Sequence, residues 1–498
     1  MDKKKILFIK IFVIVTLVFS PINLQNVTAE SEPTWSSNIV VYNPSYLDNI
    51  SFNIIFYSNS SADTIPTTLQ DIRPHESRSL LVGGIFPDNT FKGGAVVSSD
   101  DLIIAVYRQN EPESSPIVYT SFGIEEAGES VFFIPFVQRN SSDGYSSQVS
   151  IQNISTTEIS IDLNFIDLNG NPIFVPLSDP DDNILPNSSK SYNLADISAL
   201  GNNFLGSLMI TVEGAEAKKI VALVKNVSTQ TNQAYSYQGS ATGNADGSFL
   251  PIISCNYGRT QLTTRIFAQN TDPSETINEI QITYTKADGT QFVWSKTLSN
   301  TLTRGETAEL NFCGEAPNVQ GSNFSAKVIG RNGSISSIPM AVVASTSDST
   351  GLLTAVNGVK QLEESKDKGS DALYRAVVPY VEWSSSDFGY KTYLAVMNTG
   401  EYPASSVTAF YYYENGTQAV QHQLATESNQ MQTYVTRSTN PSTAPNLLTG
   451  NAVSFKGAVV IESDQPVAVV ARVQQVVKNG NAYKNQGDDY IAVSYKKP

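Results

Sequence analysis

Internal repetition constrains this chain more than any other feature of its sequence. Four segments end in Asn, and these terminal Asn residues are 110, 117 and 128 positions apart. Repetition at a regular spacing indicates that one supersecondary unit is used several times. The four segments are Trp35–Asn43, Gly144–Asn153, Arg259–Asn270 and Gly389–Asn398.

A turn, a Phe-x-Gly sequence and an apolar run follow the Asn in the same order in every copy. The turns of the last three copies contain Asn-Gly or Asp-Gly, which favour hairpins because such turns need positive φ angles. The third copy departs from the pattern at Ala326, where the others have Gly. The Phe residues are Phe91, Phe204, Phe324 and Phe455, and the apolar runs are Leu102–Tyr107, Lys219–Val224, Ile338–Val343 and Pro466–Val470.

A further apolar segment that contains Pro opens the last three copies. The first copy lacks this segment and is therefore short at its start. The three opening segments are Phe133–Val137, Leu250–Ile253 and Val378–Val381.

Each copy offers about seven short segments rich in Val, Ile, Tyr, Phe and Thr, separated by Gly, Pro, Asn, Asp and Ser. Ile159–Phe165 alternates apolar and polar residues, as a strand with one buried face does. Seven antiparallel strands in about 110 residues fit a sandwich of two sheets. We therefore predict an all-β chain of four tandem immunoglobulin-like β-sandwich modules after a signal peptide. We call them copy one (30–128), copy two (129–245), copy three (246–370) and copy four (371–498).

These landmarks resemble the tandem immunoglobulin-like repeats of bacterial secreted and cell-surface proteins. The resemblance covers nearly all of the chain after residue 29. It implies an architecture and not an activity, because such modules serve as stalks, adhesins, carbohydrate binders and assembly subunits. Modules in tandem also imply a stiff, extended body, with the charged stretch 363–371 as a linker before copy four.

Residues 1–29 have the pattern of a secretory signal peptide. A basic start from Lys3 to Lys10 leads into the apolar run Ile11–Phe19, and the small residue Ala29 suits a signal peptidase. The alternative is a transmembrane anchor, but this run is well short of the roughly 20 residues that a span needs. We expect cleavage after Ala29, export, and no transmembrane segment in the remaining chain.

Charge and composition exclude several classes of function. The 498 residues include 32 Lys or Arg and 47 Asp or Glu, and the resulting net charge of −15 argues against a nucleic-acid partner. The chain has only 2 Cys and 2 His, too few for zinc arrays, haem or iron–sulfur clusters.

Cys255 and Cys313 are the only residues to which the sequence assigns a specific site. Both lie in copy three, 58 residues apart. An exported protein meets oxidising conditions, so we predict a structural disulfide, with two buried free thiols as the alternative. Closing a loop of this length stabilises a fold by about 4 kcal/mol in the chain-entropy description.

The sequence marks no catalytic residue. His75 and His422 lie in polar stretches of different copies without a nucleophile motif nearby, so we interpret both as solvated loop residues. Paired carboxylates could run a glycosidase without His, but no Asp or Glu is distinguished by its context. We therefore expect no enzyme activity and no catalytic cofactor.

Calcium is the best metal candidate, because oxygen-rich stretches occur in an acidic chain that we expect to be exported. They do not have the spacing of an EF-hand loop, and clustered surface acids usually remain hydrated. The two stretches are Asp179–Asn183 and Asp488–Asp489.

Four consecutive aromatic residues occupy a predicted strand at Phe410–Tyr413. Alternation along the strand places Phe410 and Tyr412 on one face and Tyr411 and Tyr413 on the other. One pair would fill the core. The outward pair would form cross-strand pairs, or stack on a sugar ring or a neighbouring subunit.

Together these features predict a secreted, non-enzymatic protein of the extracellular space or cell surface that acts through assembly or as a stalk. Its partners would be other copies of itself, surface proteins or polysaccharides, and exposed strand edges would offer a route to polymerisation. The alternative is a carbohydrate-binding or adhesion protein. A secreted glycosidase or protease is a distant third.

Overall fold

The computed structural model consists mainly of antiparallel strands, with two short α-helices among the residues it describes. The all-β class predicted from the sequence is therefore confirmed. The described residues are 12–17, 36–58, 64–67, 70–86, 91, 93–110, 117–120, 130–175, 183–213, 219–228, 230–231, 233–286, 288–333, 335–362, 373–384, 389–424, 433–437, 454–479 and 482–496. The predicted cleavage site and the predicted linker 363–371 lie outside them.

The described residues of the first half of the chain form eighteen strands. One of them lies in the predicted signal peptide, β1 (Phe12–Leu17). Copy one contains β2 (Ser36–Tyr42), β3 (Ile50–Ser58), β4 (Thr64–Pro66), β5 (Gln70–Ile72), β6 (Ser77–Leu81), α1 (Val82–Ile85), β7 (Gly93–Ser99), β8 (Ile104–Asn110) and β9 (Ile117–Thr120). Copy two contains β10 (Val131–Arg139), β11 (Tyr145–Asn153), β12 (Ile159–Asp167), β13 (Pro172–Phe174), β14 (Asn183–Ile184), β15 (Ser189–Asn193), β16 (Phe204–Val212), β17 (Ile220–Ser228) and β18 (Gln233–Gln238), with 3-10 turns at Leu194–Asp196 and Ser198–Leu200.

The second half repeats this sequence of elements. Copy three contains β19 (Ser248–Cys255), β20 (Thr263–Asn270), β21 (Ile277–Lys286), β22 (Gln291–Leu302), β23 (Thr307–Leu310), α2 (Phe312–Glu315), β24 (Ser322–Asn332), β25 (Ile335–Ile338), β26 (Met340–Ser347) and β27 (Leu353–Asn357). Copy four contains β28 (Tyr374–Ser384), β29 (Tyr390–Asn398), β30 (Val407–Tyr413), β31 (Gln418–Gln423), β32 (Thr433–Arg437), β33 (Ser454–Ser463), β34 (Val467–Asn479), β35 (Ala482–Ile491) and β36 (Val493–Lys496).

The described strands form eight sheets, and two orders of pairing recur in the four copies, with β36 added beside the opening strand of copy four. The first kind of sheet contains the opening strand, in the orders β1-β7-β3-β4, β10-β16-β12-β13, β19-β24-β21-β22 and β36-β28-β33-β30-β31. The second kind has the orders β6-β2-β8-β9, β15-β11-β17-β18, β23-β20-β26-β27 and β32-β29-β34-β35. In copy two, apolar side chains of both sheets form one hydrophobic cluster between them. The arrangement is a β-sandwich.

The strand order differs from the immunoglobulin order that we expected. In an immunoglobulin domain the first, second, fourth and fifth strands share one sheet. Here the loop after β10 carries the chain to the opposite sheet, so that β11 pairs with β15 and β17. The sequence landmarks report the number and spacing of strands, but they do not report which strands pair.

In copies one to three, the repeated Asn joins the two sheets of its copy. In copy three, Asn270 ends β20, and its Nδ2 donates to the carbonyl oxygen of Leu302 at 3.0 Å, at the end of β22 in the other sheet. Nδ2 also donates to the carbonyl oxygen of Glu275, and Oδ1 accepts from the N–H of Asp272. Asn43 and Asn153 make the same three bonds in their copies. We call this set of bonds the Asn clip.

The Phe-x-Gly landmark is explained by the close approach of two strands. A Cβ atom on Gly206 would lie 2.1 Å from the carbonyl oxygen of Ile166, and a Cβ on Gly457 would lie 1.9 Å from that of Tyr412. Both distances are shorter than any van der Waals contact, so these positions require Gly. In copy three the strand pairing runs on to Phe324, and Ala326 pairs with Tyr284.

The Pro residues of the opening segments lie in bulges. The register of the opening strand shifts between Ile134 and Val137 in copy two, and equivalent shifts occur in copies three and four. Pro lacks an N–H and is tolerated where a bulge interrupts the ladder.

The copies close on one another and do not extend as a rod. The opening strand β10 packs on β20 and β26 of copy three, β19 packs on β29 and β34 of copy four, and β28 packs on β2 and β8 of copy one. The strands β9, β18, β27 and β35 meet at the centre of this ring, where β9 contacts both β18 and β35. The extended body that we expected from tandem modules is therefore not what the chain forms.

Apolar side chains continue across each contact between successive copies, which we call a seam. The core of copy two includes Phe267 of copy three, whose ring stacks on Phe136 at 4.4 Å between centroids. The core of copy three includes Val470 of copy four, and that of copy four includes Val40 and Val106 of copy one. Burial at the seams therefore favours the closed ring.

We predict that Asn270→Ala lowers the free energy of unfolding by about 3 kcal/mol, because two buried carbonyls and one N–H lose their partner. Urea unfolding followed by tryptophan fluorescence measures this change. The matched control is Asn300→Ala, at an exposed position of β22 in the same copy, which should change stability by less than about 0.5 kcal/mol. Equal effects of the two substitutions would show that the Asn clip contributes nothing specific.

Candidate functional site

In three copies, the strand that contains the apolar landmark carries a buried cation at the same position, just after the landmark. Arg108 lies opposite Asn38, Lys225 opposite Gln148 and Arg472 opposite Tyr393, which are equivalent positions of the paired strands. All three side chains are buried. Lys225 Nζ donates to Gln109 Oε1 of copy one, and Arg108 pairs with Glu382 of copy four at 3.2 Å. These cations therefore face the seams or the centre of the ring.

Arg472 holds the most deeply buried ion pair of the described chain. Its Nε and Nη2 each donate to a carboxylate oxygen of Asp489 at 2.7 Å. Thr354 of copy three donates to the same carboxylate at 2.8 Å. Burial alone would lower the pKa of Arg472, but the Asp489 carboxylate more than offsets this effect, and the pKa is raised. The pair ties copy four to copy three.

The neighbouring carboxylate, Asp488, ties copy four to copy two. Its Oδ2 accepts from the N–H and the hydroxyl of Ser236, at 3.1 and 2.7 Å. Asp488 and Asp489, which we considered as part of a calcium site, are thus both buried and hydrogen-bonded to protein groups. Of the other candidate stretch, residues 179–182 lie outside the described chain. The described residues contain no group of three or more His, Cys, Asp or Glu that could hold a metal ion.

A cavity of about 260 Å³ lies at the seam between copies three and four, beside the Arg472–Asp489 pair. The amide oxygen of Asn323 is buried at its wall and has no hydrogen-bond partner among the described residues. The polar lining of the cavity includes Tyr257, Arg259, Asn323, Tyr393, Gln474 and Asn485, together with the carboxylates of Asp348 and Asp489. Its apolar lining includes Ile252, Leu262 and Val470. This combination of aromatic rings, amides and one exposed cation over an apolar floor suits a small polar ligand.

His75 is buried at the seam between copies four and one. Its Nδ1 is 2.9 Å from the hydroxyl of Tyr42, and its ring stacks on Tyr412 at 4.0 Å between centroids. Tyr46 meets the ring edge-on, and Arg375 and Glu462 are the charged groups nearby. Our interpretation of His75 as a solvated loop residue was therefore wrong, because copy four covers it. Burial, aided by the charge of Arg375, lowers its pKa to about 4.

Some of the other candidate residues lie where the sequence predicts, and others do not. His422 lies half-buried on β31 and not in a solvated loop, and burial lowers its pKa. Tyr411 fills the core of copy four, and Tyr413 on the same face is partly exposed. The other pair, Phe410 and Tyr412, covers Tyr42 and Ile104 of copy one. Cys255 and Cys313 are joined in a disulfide between β19 and α2.

Sequence reasoning missed the buried cations and the cavity. A signal for the cations exists, because Arg108 and Lys225 directly follow the apolar landmark and Arg472 follows two residues after it. A charge at the end of a buried strand indicates a partner from elsewhere. The cavity has no such signal, because its wall comes from two copies.

We predict that Arg472→Met destabilises the protein by about 3–5 kcal/mol, because it leaves Asp489 charged and buried without its cation. Thermal unfolding measures the loss. The double variant Arg472→Met/Asp489→Leu should recover most of it, because no buried charge remains unpaired. The control is Arg265→Met, which breaks a largely exposed pair with Glu309 and should cost at most about 1 kcal/mol. A loss at Arg472 no larger than at Arg265 would contradict this account.

We predict that the seam at His75 weakens as the pH falls. The neutral form is favoured in the folded protein, so the unfolded chain, with the ordinary pKa of 6.5, binds the proton more tightly. The contribution of His75 is therefore complete above pH 6.5 and is lost as the pH falls towards 4. The melting temperature of the native protein should drop more steeply over this interval than that of His75→Asn. Asn accepts the positive φ of 58° at this position but does not titrate. Parallel pH profiles would exclude His75 as the cause.

Comparisons with known proteins assign this chain to no family. No family model matches the sequence, and no curated protein matches it. Among solved structures, a chain from the crystal structure of the T13 IBDV viral particle is 11% identical, with 73% of this chain and 79% of that chain covered. Its TM-score is 0.09, which is too low for any structural argument. The described residues contain no helix with the length and apolar character of a membrane span.

Proposed function

We propose that this protein is a non-enzymatic structural protein of the extracellular space or cell surface, exported through its N-terminal segment and acting through assembly. The observation that carries the proposal is the closed ring, in which the opening strand of each copy packs on the next copy. In this architecture, apolar surface and buried charges lie between the repeats and hold them together. Such a body is suited to serve as a rigid building block.

The position of the polar groups supports this proposal. Arg472, Asp489 and Thr354 satisfy one another at the seam, and Asp488 is bound by Ser236. Buried charges held this way fix the register of the elements they join, a use for which such pairs are well suited.

The test is the size and shape of a chain that begins at Glu30, with and without calcium. Light scattering after size exclusion, together with negative-stain microscopy, should show a compact particle that grows into ordered filaments or sheets as the concentration rises. A rod-shaped monomer would contradict the ring. A compact particle that stays monomeric at every concentration would contradict assembly.

A second candidate function is carbohydrate binding at the cavity between copies three and four. The observation in its favour is that Tyr257 and Tyr393 line the same cavity as several amide groups. One of these, Asn323, has a buried oxygen without a hydrogen-bond partner among the described residues. Aromatic rings can stack on sugar faces while amides bond to hydroxyls.

A glycan-binding screen, followed by calorimetry on the best ligand, tests this candidate. Tyr393→Ala should reduce affinity at least ten-fold, and Phe174→Ala should not, because Phe174 is an exposed aromatic residue of copy two. If the protein binds no glycan in the screen, or if both variants lose affinity equally, carbohydrate binding at this cavity is excluded.

A further inference from the structure

Copy one obtains its opening strand differently from the other copies. In copies two, three and four the opening strand is separated from the next strand by five, seven and five residues. The strand at the same place in copy one is β1, which pairs antiparallel with Gly93–Ser99. Eighteen residues separate β1 from β2. Its place in the sheet matches that of β10 on β16 and β19 on β24.

In copies two to four, a side-chain hydroxyl bonds to the backbone near the end of the opening strand, just before a short connection. Ser147 Oγ, Thr264 Oγ1 and Thr392 Oγ1 each accept the N–H of a residue near the end of their opening strand, at 2.9–3.0 Å. The equivalent hydroxyl in copy one belongs to Ser37, six residues before the repeated Asn. Its described bond is to the hydroxyl of Tyr107, at 2.8 Å.

The place beside Gly93–Ser99 requires an apolar strand. The equivalent strand β10 is buried along nearly its whole length, because one face meets its own core and the other meets copy three. The occupant in copy one, Phe12–Leu17, has six residues without charge, and β1 likewise lies against β11 of copy two. In a chain that begins at Glu30, only residues 30–35 precede β2. They include Glu30, Glu32 and Pro33, so they cannot supply an uncharged apolar strand.

We propose that the edge of copy one at Gly93–Ser99 is a strand acceptor. Its occupant in the full chain is Phe12–Leu17, and a chain without residues 1–29 takes an uncharged apolar strand of about six residues in trans. Removal of the N-terminal segment thus converts copy one from a closed sandwich to one with an open sheet edge. Strand addition at such an edge gives affinity through backbone hydrogen bonds. The inference rests on the proposed function, because it identifies a surface through which assembly would grow.

The direct test uses a fluorescent peptide with the sequence of residues 11–18, flanked by Lys residues for solubility. Fluorescence anisotropy should show saturable binding to the chain that begins at Glu30, and at least ten-fold weaker binding to the full chain, whose acceptor is occupied. A peptide with Pro in place of Ile14 should not bind, because Pro removes an N–H from the ladder. Equal binding of both peptides, or of one peptide to both chains, would overturn the proposal.

A grafted variant provides the matched control. Residues 130–144 of copy two, which contain an opening strand and its short loop, replace everything before Ser36. This variant should melt several degrees higher than the chain that begins at Glu30 and should lose peptide binding. The same graft with Phe132, Ile134 and Phe136 changed to Ser should neither raise the melting temperature nor abolish peptide binding. A graft that leaves peptide binding and melting temperature unchanged would show that the acceptor is absent.

The failure of this inference and that of the proposed function can be told apart. Assemblies of the chain that begins at Glu30 should dissociate when the peptide is added. Assemblies that persist under saturating peptide would keep the assembly proposal and exclude this edge as its growth surface. Peptide binding by a chain that never assembles would keep the acceptor and exclude assembly.

Discussion

The Asn clip is the interaction on which the sandwiches of copies one to three depend. The backbone hydrogen bonds of a sandwich lie within each sheet, so contact between the sheets is mainly apolar, which does not fix their relative position. A buried amide that donates to two carbonyls and accepts one N–H adds directional bonds at the point where the chain leaves the strand. Loss of one such side chain would leave several polar groups unpaired, which explains why Asn ends this segment in copies one to three.

The ring adds a second level of constraint that single sandwiches do not have. Each opening strand contributes one face to its own core and the other to the next copy, so the folding of one copy supports its neighbour. Apolar contacts supply most of the burial, and the buried charges supply specificity. An ion pair as deeply buried as Arg472 and Asp489 adds little net stability but strongly disfavours arrangements in which either charge is unpaired. The seams therefore accept only one alignment.

The errors of sequence-based reasoning fall on residues whose surroundings come from another copy. His75 and Tyr412 are more than 300 positions apart, and each looks like a surface residue in its own strand or loop. In the sequence, Asp488 and Asp489 resemble a hydrated acidic pair. In the structure, β18 and β27 pack against the strand that carries them. Local pattern reports which face of a strand is apolar. It does not report whether the polar face is covered by a distant segment.

The sequence by itself determined the all-β class, the repeated landmarks, the hairpin turns and the places where Gly or Asn is required. These features depend on local backbone geometry and on alternation along a strand, which adjacent residues specify. Only the tertiary structure decided the strand order, the closure of the copies into a ring, the burial of His75 and Arg472, and the cavity between copies three and four. Each of these depends on contacts between residues far apart in the chain, whose energies appear only when both surfaces are brought together.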